Sequence, residues 1–230
     1  WSNARAVPRI DLKLADKKSL VDSVTGANLV TFTRTGAGTY VGSDGLIKTA
    51  TTNEARFDHN PTTGESLGLL VEEPRTNWLL RSEEFNDASW TKTRSSITAN
   101  AVVAPDGIAT ADKLIASVDA NTHSVVQNVT LTVAAWTFSV FLKQAEYTSA
   151  RILVFDGTAT TYGAIFNLSA GTLTSASGSP LATSINASGN GFWRCSITVT
   201  GTAAAGNVQI RPVSGGNDNF TGDGISGIYT

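Results

Sequence analysis

From about residue 96 onward, apolar runs recur at roughly ten-residue spacing, and none carries a helical period. The runs are ADKLIAS, HSVVQNVTL, AAWTFSVFLKQ, ARILVFD, TTYGAIFNLS, GFWRCSITVT and GNVQIRP, with Gly, Asn and Ser between them. They are rich in Val, Ile, Phe, Trp and Thr, residues that fit a pleated, half-buried surface. Strands in succession without intervening helices build an antiparallel sandwich or jelly roll, so the expected fold is all-β. The sequence given ends at GIYT, within an expected strand, and the module is expected to continue past residue 230.

Alternation assigns faces within these runs, because successive side chains of a strand point to opposite sides. Trp136, Phe138, Val140 and Leu142 share one side; Thr137, Ser139, Phe141 and Lys143 share the other. Trp193, Cys195, Ile197 and Val199 oppose Phe192, Arg194, Ser196 and Thr198, while Val208 and Ile210 oppose Gln209 and Arg211. Burial of the apolar sides, at about 25 cal/mol per Å², is what holds such a sandwich together. The opposite sides mix hydroxyl, amide and basic groups.

Upstream the chain reads differently. Residues 1–28 form an N-terminal arm, with weak amphipathic character in DLKLADKKSLVDSVTG. Residues 29–80 form a small β-rich connector, its short apolar runs broken by TGAG, SDG and HNPTTG. Pro61 bars a helix and biases Asn60 to extended geometry, and Pro74 ends the run LGLLVEE. Residues 81–230 then belong to the sandwich. It opens with one expected helical turn capped by Ser82, where Glu83 and Glu84 suit a helix N-terminus.

Composition narrows the possible partners. Charged residues make up 16% of the chain and the formal net charge is −2. There is no basic field, so nucleic acid is not an expected partner. No apolar run reaches the roughly 18 residues of a membrane span, so no membrane insertion is expected. No signal peptide is visible at the start. The chain contains no Met, so Trp1 is not an encoded start and the sequence is expected to be a processed or partial product. Cys195 is the single cysteine and has no internal disulfide partner; within WRCSITV it reads as a buried, inert thiol.

Motifs that resemble reactive sites lack the context their chemistry needs. Gly64-Glu65-Ser66-Leu67-Gly68 matches the G-x-S-x-G pattern, which works on a strained strand-to-helix turn. Here a loop precedes it and a strand-like run follows, so a turn into a strand is expected. The only downstream histidine, His123, sits inside a strand. His59 and His123 lack neighbours at metal-ligand spacing, and His59 reads as a turn residue bonded to backbone. Asp218 and Asp223 in GGNDNFTGDG offer oxygen ligands suited to calcium, but their spacing departs from the D-x-[DN]-x-[DN]-G loop. A solvated turn is the simpler reading, with calcium the alternative, and no other cofactor is indicated. The adjoining pairs Glu72–Glu73 and Glu83–Glu84 are not ready acid/base couples, because strand neighbours point apart. TGAGTYVGSDG has neither the Gly-Lys-Ser/Thr nor the following helix of a phosphate cradle.

Binding surfaces are the stronger candidates. Aromatic faces and planar polar side chains hold sugars, and the off-core residues of these kinds are Phe141, Lys143, Tyr147, Arg194, Gln209 and Arg211. Contact with sugar, packing at a subunit interface and plain surface all remain open for them.

Several ordered blocks carry a resemblance. LVTFTR, GTYVGSDGLIKT, RFDHNPTTGESLGLLVEEPRTNWLLRSEEF and DASWTKT, within residues 10–95, resemble bacteriophage structural proteins of the head-spike or tail-fibre type found in marine and cyanobacterial phages. More loosely, VVAPDG-ATADKL, SVFLKQ, FNLSAGT, GFWRCSITVT and FTGDG-SGIY are similar to the carbohydrate-binding-like jelly roll that follows in such proteins. The resemblance implies a virion component on capsid or tail, homo-oligomeric as phage trimers are. Its implied partners are other virion proteins and host cell-surface glycan. It brings no catalytic residues, and no enzyme activity is expected. The alternative expectation is a carbohydrate-binding module of a secreted polysaccharide-active enzyme.

Overall fold

The computed structural model describes residues 10–230, so residues 1–9 of the expected arm lie outside the described residues. The chain divides into two compact units, the second of which is Thr76–Thr230.

In the first unit, the rest of the arm is a looped segment closed by Asp22. The buried Asp22 carboxylate accepts from the backbone N–H groups of Asp11, Val24 and Thr25 and from the Thr25 hydroxyl. Two short hairpins follow, β1 (Gly38–Val41) with β2 (Ile47–Ala50) and β3 (Phe57–His59) with β4 (Ser66–Leu69). The turn of the first requires Gly45: its φ is +76°, and a Cβ there would lie 2.5 Å from the Pro61 carbonyl oxygen. The RFDH segment ties the hairpins together. Arg56 donates from Nη1 to the Thr39 carbonyl at 2.8 Å, and the Asp58 carboxylate accepts from the Val41 N–H at 2.7 Å.

The second unit contains β5 (Thr91–Thr93), β6 (Ser95–Val102), β7 (Ala111–Ala116), β8 (Ala120–Thr122), β9 (Ser124–Thr130), β10 (Ala135–Gln144) and β11 (Ser149–Phe155). After these come β12 (Thr161–Asn167), β13 (Thr172–Ser177), β14 (Ala182–Ala187), β15 (Trp193–Thr200), β16 (Ala205–Val213), β17 (Asn219–Thr221) and β18 (Gly227–Tyr229). Two six-stranded antiparallel sheets form, ordered β14-β15-β10-β18-β7-β6 and β13-β12-β11-β16-β9-β5. They pack face to face as an all-β sandwich, as the strand succession requires.

The faces follow the alternation. Phe138, Val140, Leu142, Cys195, Ile197 and Val199 from the first sheet enter one buried cluster with Ile152, Val154, Phe166 and Ile210 from the second. Phe192 departs from the pattern. Alternation places it outward, yet it is 1% exposed, because it precedes β15 and lies under the Lys143 ammonium, 5.6 Å from its ring centroid.

No helix forms after Ser82. Successive i→i+3 bonds join Arg81 to Glu84, Glu84 to Asp87 and Asp87 to Trp90. These turns bring Phe85 and Trp90 into the core with ring centroids 4.8 Å apart, and Trp90 Nε1 donates to the Arg81 carbonyl. Tertiary burial of two large rings thus overrides a weak local helix signal. Residues 76–80, read from sequence as connector, belong with the sandwich: the Leu80 N–H donates to Gln127 Oε1 at 2.7 Å, and Gln127 Nε2 donates to the Leu80 carbonyl at 2.8 Å. Among the described residues, no helix is long and apolar enough to cross a membrane.

Candidate functional site

The six sugar-contact candidates do not converge. Gln209 and Arg211 lie on the outer face of the second sheet. Phe141, Lys143 and Arg194 lie on the outer face of the first, across the core. Tyr147 belongs to neither face; it packs on the core cluster with its ring 5.1 Å from that of Phe220.

The outer face of the second sheet is the more ordered. β11 and β16 are neighbours there, with Arg151 opposite Arg211, Leu153 opposite Gln209 and Phe155 opposite Asn207. On its other side, β12 sets Ile165, Gly163 and Thr161 against the same three residues of β11. Arg211 donates from Nη1 to Asp218 Oδ2 at 2.7 Å, and Arg151 donates from Nη1 to the same oxygen at 3.1 Å. Arg211 Nε and Nη2 both donate to Gln209 Oε1, and Gln209 Nε2 passes the chain on to Asn207 Oδ1. Arg151 Nη2 reaches the Ser177 hydroxyl at 3.0 Å. Leu153 points outward but is 1% exposed beneath these groups.

Asp218 is therefore engaged by two guanidiniums. Burial pushes its carboxyl up, but the Arg211 hydrogen bond and the charges of Arg151 and Arg211 outweigh burial and hold it below the ordinary carboxylate range. Asp223, the other calcium candidate, accepts from the Ile225 and Ser226 N–H groups and the Ser226 hydroxyl. Those bonds, the Ser226 hydroxyl first, lower it to about 2. Among the described residues, no group of three or more His, Cys, Asp or Glu side chains is placed to hold a metal ion.

The outer face of the first sheet consists of cross-strand rows. Thr137 and Thr198 share a hydroxyl bond at 2.9 Å, and Ser184 and Ser196 share one at 2.7 Å. Phe141 stands opposite Arg194, which is exposed and donates to the Ser139 hydroxyl at 3.2 Å. Lys143 donates to the Asn190 carbonyl.

In the first unit, Ser66 opens β4 after a turn in which Gly64 has φ +71°, and no helix follows. Its cross-strand partner is His59. His59 Nδ1 lies 2.9 Å from the Val41 carbonyl oxygen and donates to it. Both His59 Nε2 and Ser66 Oγ are buried and unpartnered. A hydroxyl enclosed in this way offers no surface to an external substrate. An open groove of about 580 Å³ in this unit is lined by Lys18, Tyr40, Asp44, Lys48, Glu54 and His59, among others, and Ser66 does not line it.

Sequence reasoning found Gln209 and Arg211 but missed Arg151, Ser177 and Asn207. The alternation in ARILVFD does place Arg151, Leu153 and Phe155 on one side. No local pattern states that β11 will lie beside β16. No known family model matches this chain, and no curated protein matches it.

Proposed function

We propose that this chain is a bacteriophage virion surface protein of the head-spike or tail-fibre type, whose sandwich works by contact with host-surface glycan. The observation that carries the glycan part is the outer face of the second sheet. Arg151, Gln209 and Arg211 are fixed there by a closed set of hydrogen bonds above Leu153, beside half-buried Phe155. Side chains already held in place lose little further freedom on binding, so such a face suits recognition by contact. The phage part rests on the ordered blocks between residues 10 and 95. Display in several copies raises weak single-site contact through effective concentration.

A glycan-binding module of a secreted polysaccharide-active enzyme is the second reading, favoured by the same face taken without the upstream blocks. Two measurements separate them. Antibody labelling of intact particles is expected to decorate head or tail, and the purified chain is expected to self-associate. Unlabelled particles together with a monomer at every concentration would remove the virion assignment.

A further inference from the structure

We propose that the Arg151–Arg211 pair is an anion clip, so that the saccharides bound by this face are acidic ones bearing carboxylate or sulfate. The inference rests on the glycan reading above and narrows it.

The two arginines are direct cross-strand partners, an arrangement in which like charges repel. They are far from free in solvent: their side chains are 23% and 19% exposed. Among the described residues, the only carboxylate within salt-bridge distance of either is that of Asp218, so the cluster keeps one uncompensated positive charge. The remaining acceptors, Gln209 Oε1 and Ser177 Oγ, are neutral. Partly desolvated positive charge beyond what its own carboxylate balances is stabilised by a second anion.

The backbone makes room for this pair. Gly163 faces Leu153 across the strands, and a Cβ at Gly163 would lie 2.9 Å from Arg151 Nη2 and 2.8 Å from Leu153 Cδ2. The Arg151 guanidinium thus occupies space that any other residue at position 163 would fill. Along the same strands stand Leu153 with Gln209, then Phe155 with Asn207. A ring carboxylate at the arginines would set the rest of the sugar against the amides of Gln209 and Asn207 and half-buried Phe155. A free inorganic anion would use the arginines alone.

Calorimetric titration of the whole chain tests the clip with three probes: a short oligogalacturonate, its carboxyl-reduced neutral counterpart, and sodium sulfate. The oligogalacturonate is expected to bind at least about tenfold more tightly than either of the others, with affinity falling as salt rises. Arg151→Gln and Arg211→Gln are each expected to remove about tenfold, the worth of one charge-assisted contact, and Arg211→Lys part of that. Circular dichroism checks that the variants remain folded, and the comparison among probes on the unaltered chain needs no variant. Equal binding of acidic and neutral oligomers overturns the clip and leaves the glycan reading standing. Sulfate binding as tightly as the oligogalacturonate overturns the saccharide assignment. If none of the three binds, and a glycan array is also blank, the glycan reading itself falls.

Discussion

Arg151 and Arg211 stand directly opposite each other on neighbouring antiparallel strands, and both donate to one oxygen of Asp218. A repelling pair on the sheet is thereby turned into a three-membered ionic unit that fastens the segment before β17 to the centre of the second sheet.

Removing the shared carboxylate exposes the repulsion. Asp218→Asn is expected to lower stability by about 1–2 kcal/mol, less than a fully buried pair because the arginines keep some solvent. The sign of the pH dependence follows from the depressed Asp218 carboxyl. Its contribution is complete above the unfolded value near 3.8 and is lost as pH falls through the lower folded value. Chemical denaturation of the two proteins should therefore show a gap that is constant at neutral pH and closes below about pH 4.

Gly163→Ala tests the space given to Arg151. The new methyl would sit 2.8 Å from Leu153 Cδ2 and 2.9 Å from Arg151 Nη2. The side chain of Arg151 can swing away, but Leu153 is packed. A loss of about 1–3 kcal/mol in thermal or denaturant unfolding is expected, together with weaker oligogalacturonate binding. Unchanged stability and unchanged binding would show that Arg151 does not need this gap.

The sandwich was legible where burial leaves a pattern and illegible where it does not. β10, β15 and β16 were readable because one side of each enters the core. β13 (TLTSAS) is exposed throughout, and β14 (ATSINA) alternates in burial but carries a single large apolar residue, Ile185. Both are edge strands of their sheets, as are β5 and β6, and the core takes few side chains from them, Ile185 from β14 and Ile97 from β6. The recognition face was half legible for a related reason. Gln209 and Arg211 alternate visibly against Val208 and Ile210. Arg151 joins them only through pairing between strands far apart in sequence. Asp218 reads in sequence as part of a solvated turn, with calcium the alternative, and its partners Arg151 and Arg211 are supplied by folding.

Cys195 offers a readout of the core itself. It is fully buried, and burial pushes its thiol up to about 12. Native protein is expected to resist aromatic disulfide and maleimide reagents and to react at once in denaturant. Cys195→Ser places a hydroxyl without a partner among Val140, Ile185 and Ile197. The expected cost is about 1–3 kcal/mol. Rapid labelling under native conditions would mean that the sheets part far more readily than their packing implies.

Arg194 and Gln209 separate the two outer faces. Arg194 is exposed and makes one 3.2 Å contact with Ser139, so Arg194→Ala is expected to change stability by no more than about 0.5 kcal/mol. Gln209 is held on both sides, receiving Arg211 and donating to Asn207. Gln209→Ala frees Arg211 from two of its bonds, and it is expected to weaken oligogalacturonate binding by about tenfold at a modest stability cost of about 1 kcal/mol. Arg194→Ala is expected to leave that binding unchanged, because it lies across the core from the clip. The reverse outcome, loss with Arg194→Ala and none with Gln209→Ala, would move recognition to the hydroxyl rows of the first sheet. There, half-buried Phe141 beside Arg194 would become the contact to pursue, since the pair already combines an apolar ring with a guanidinium.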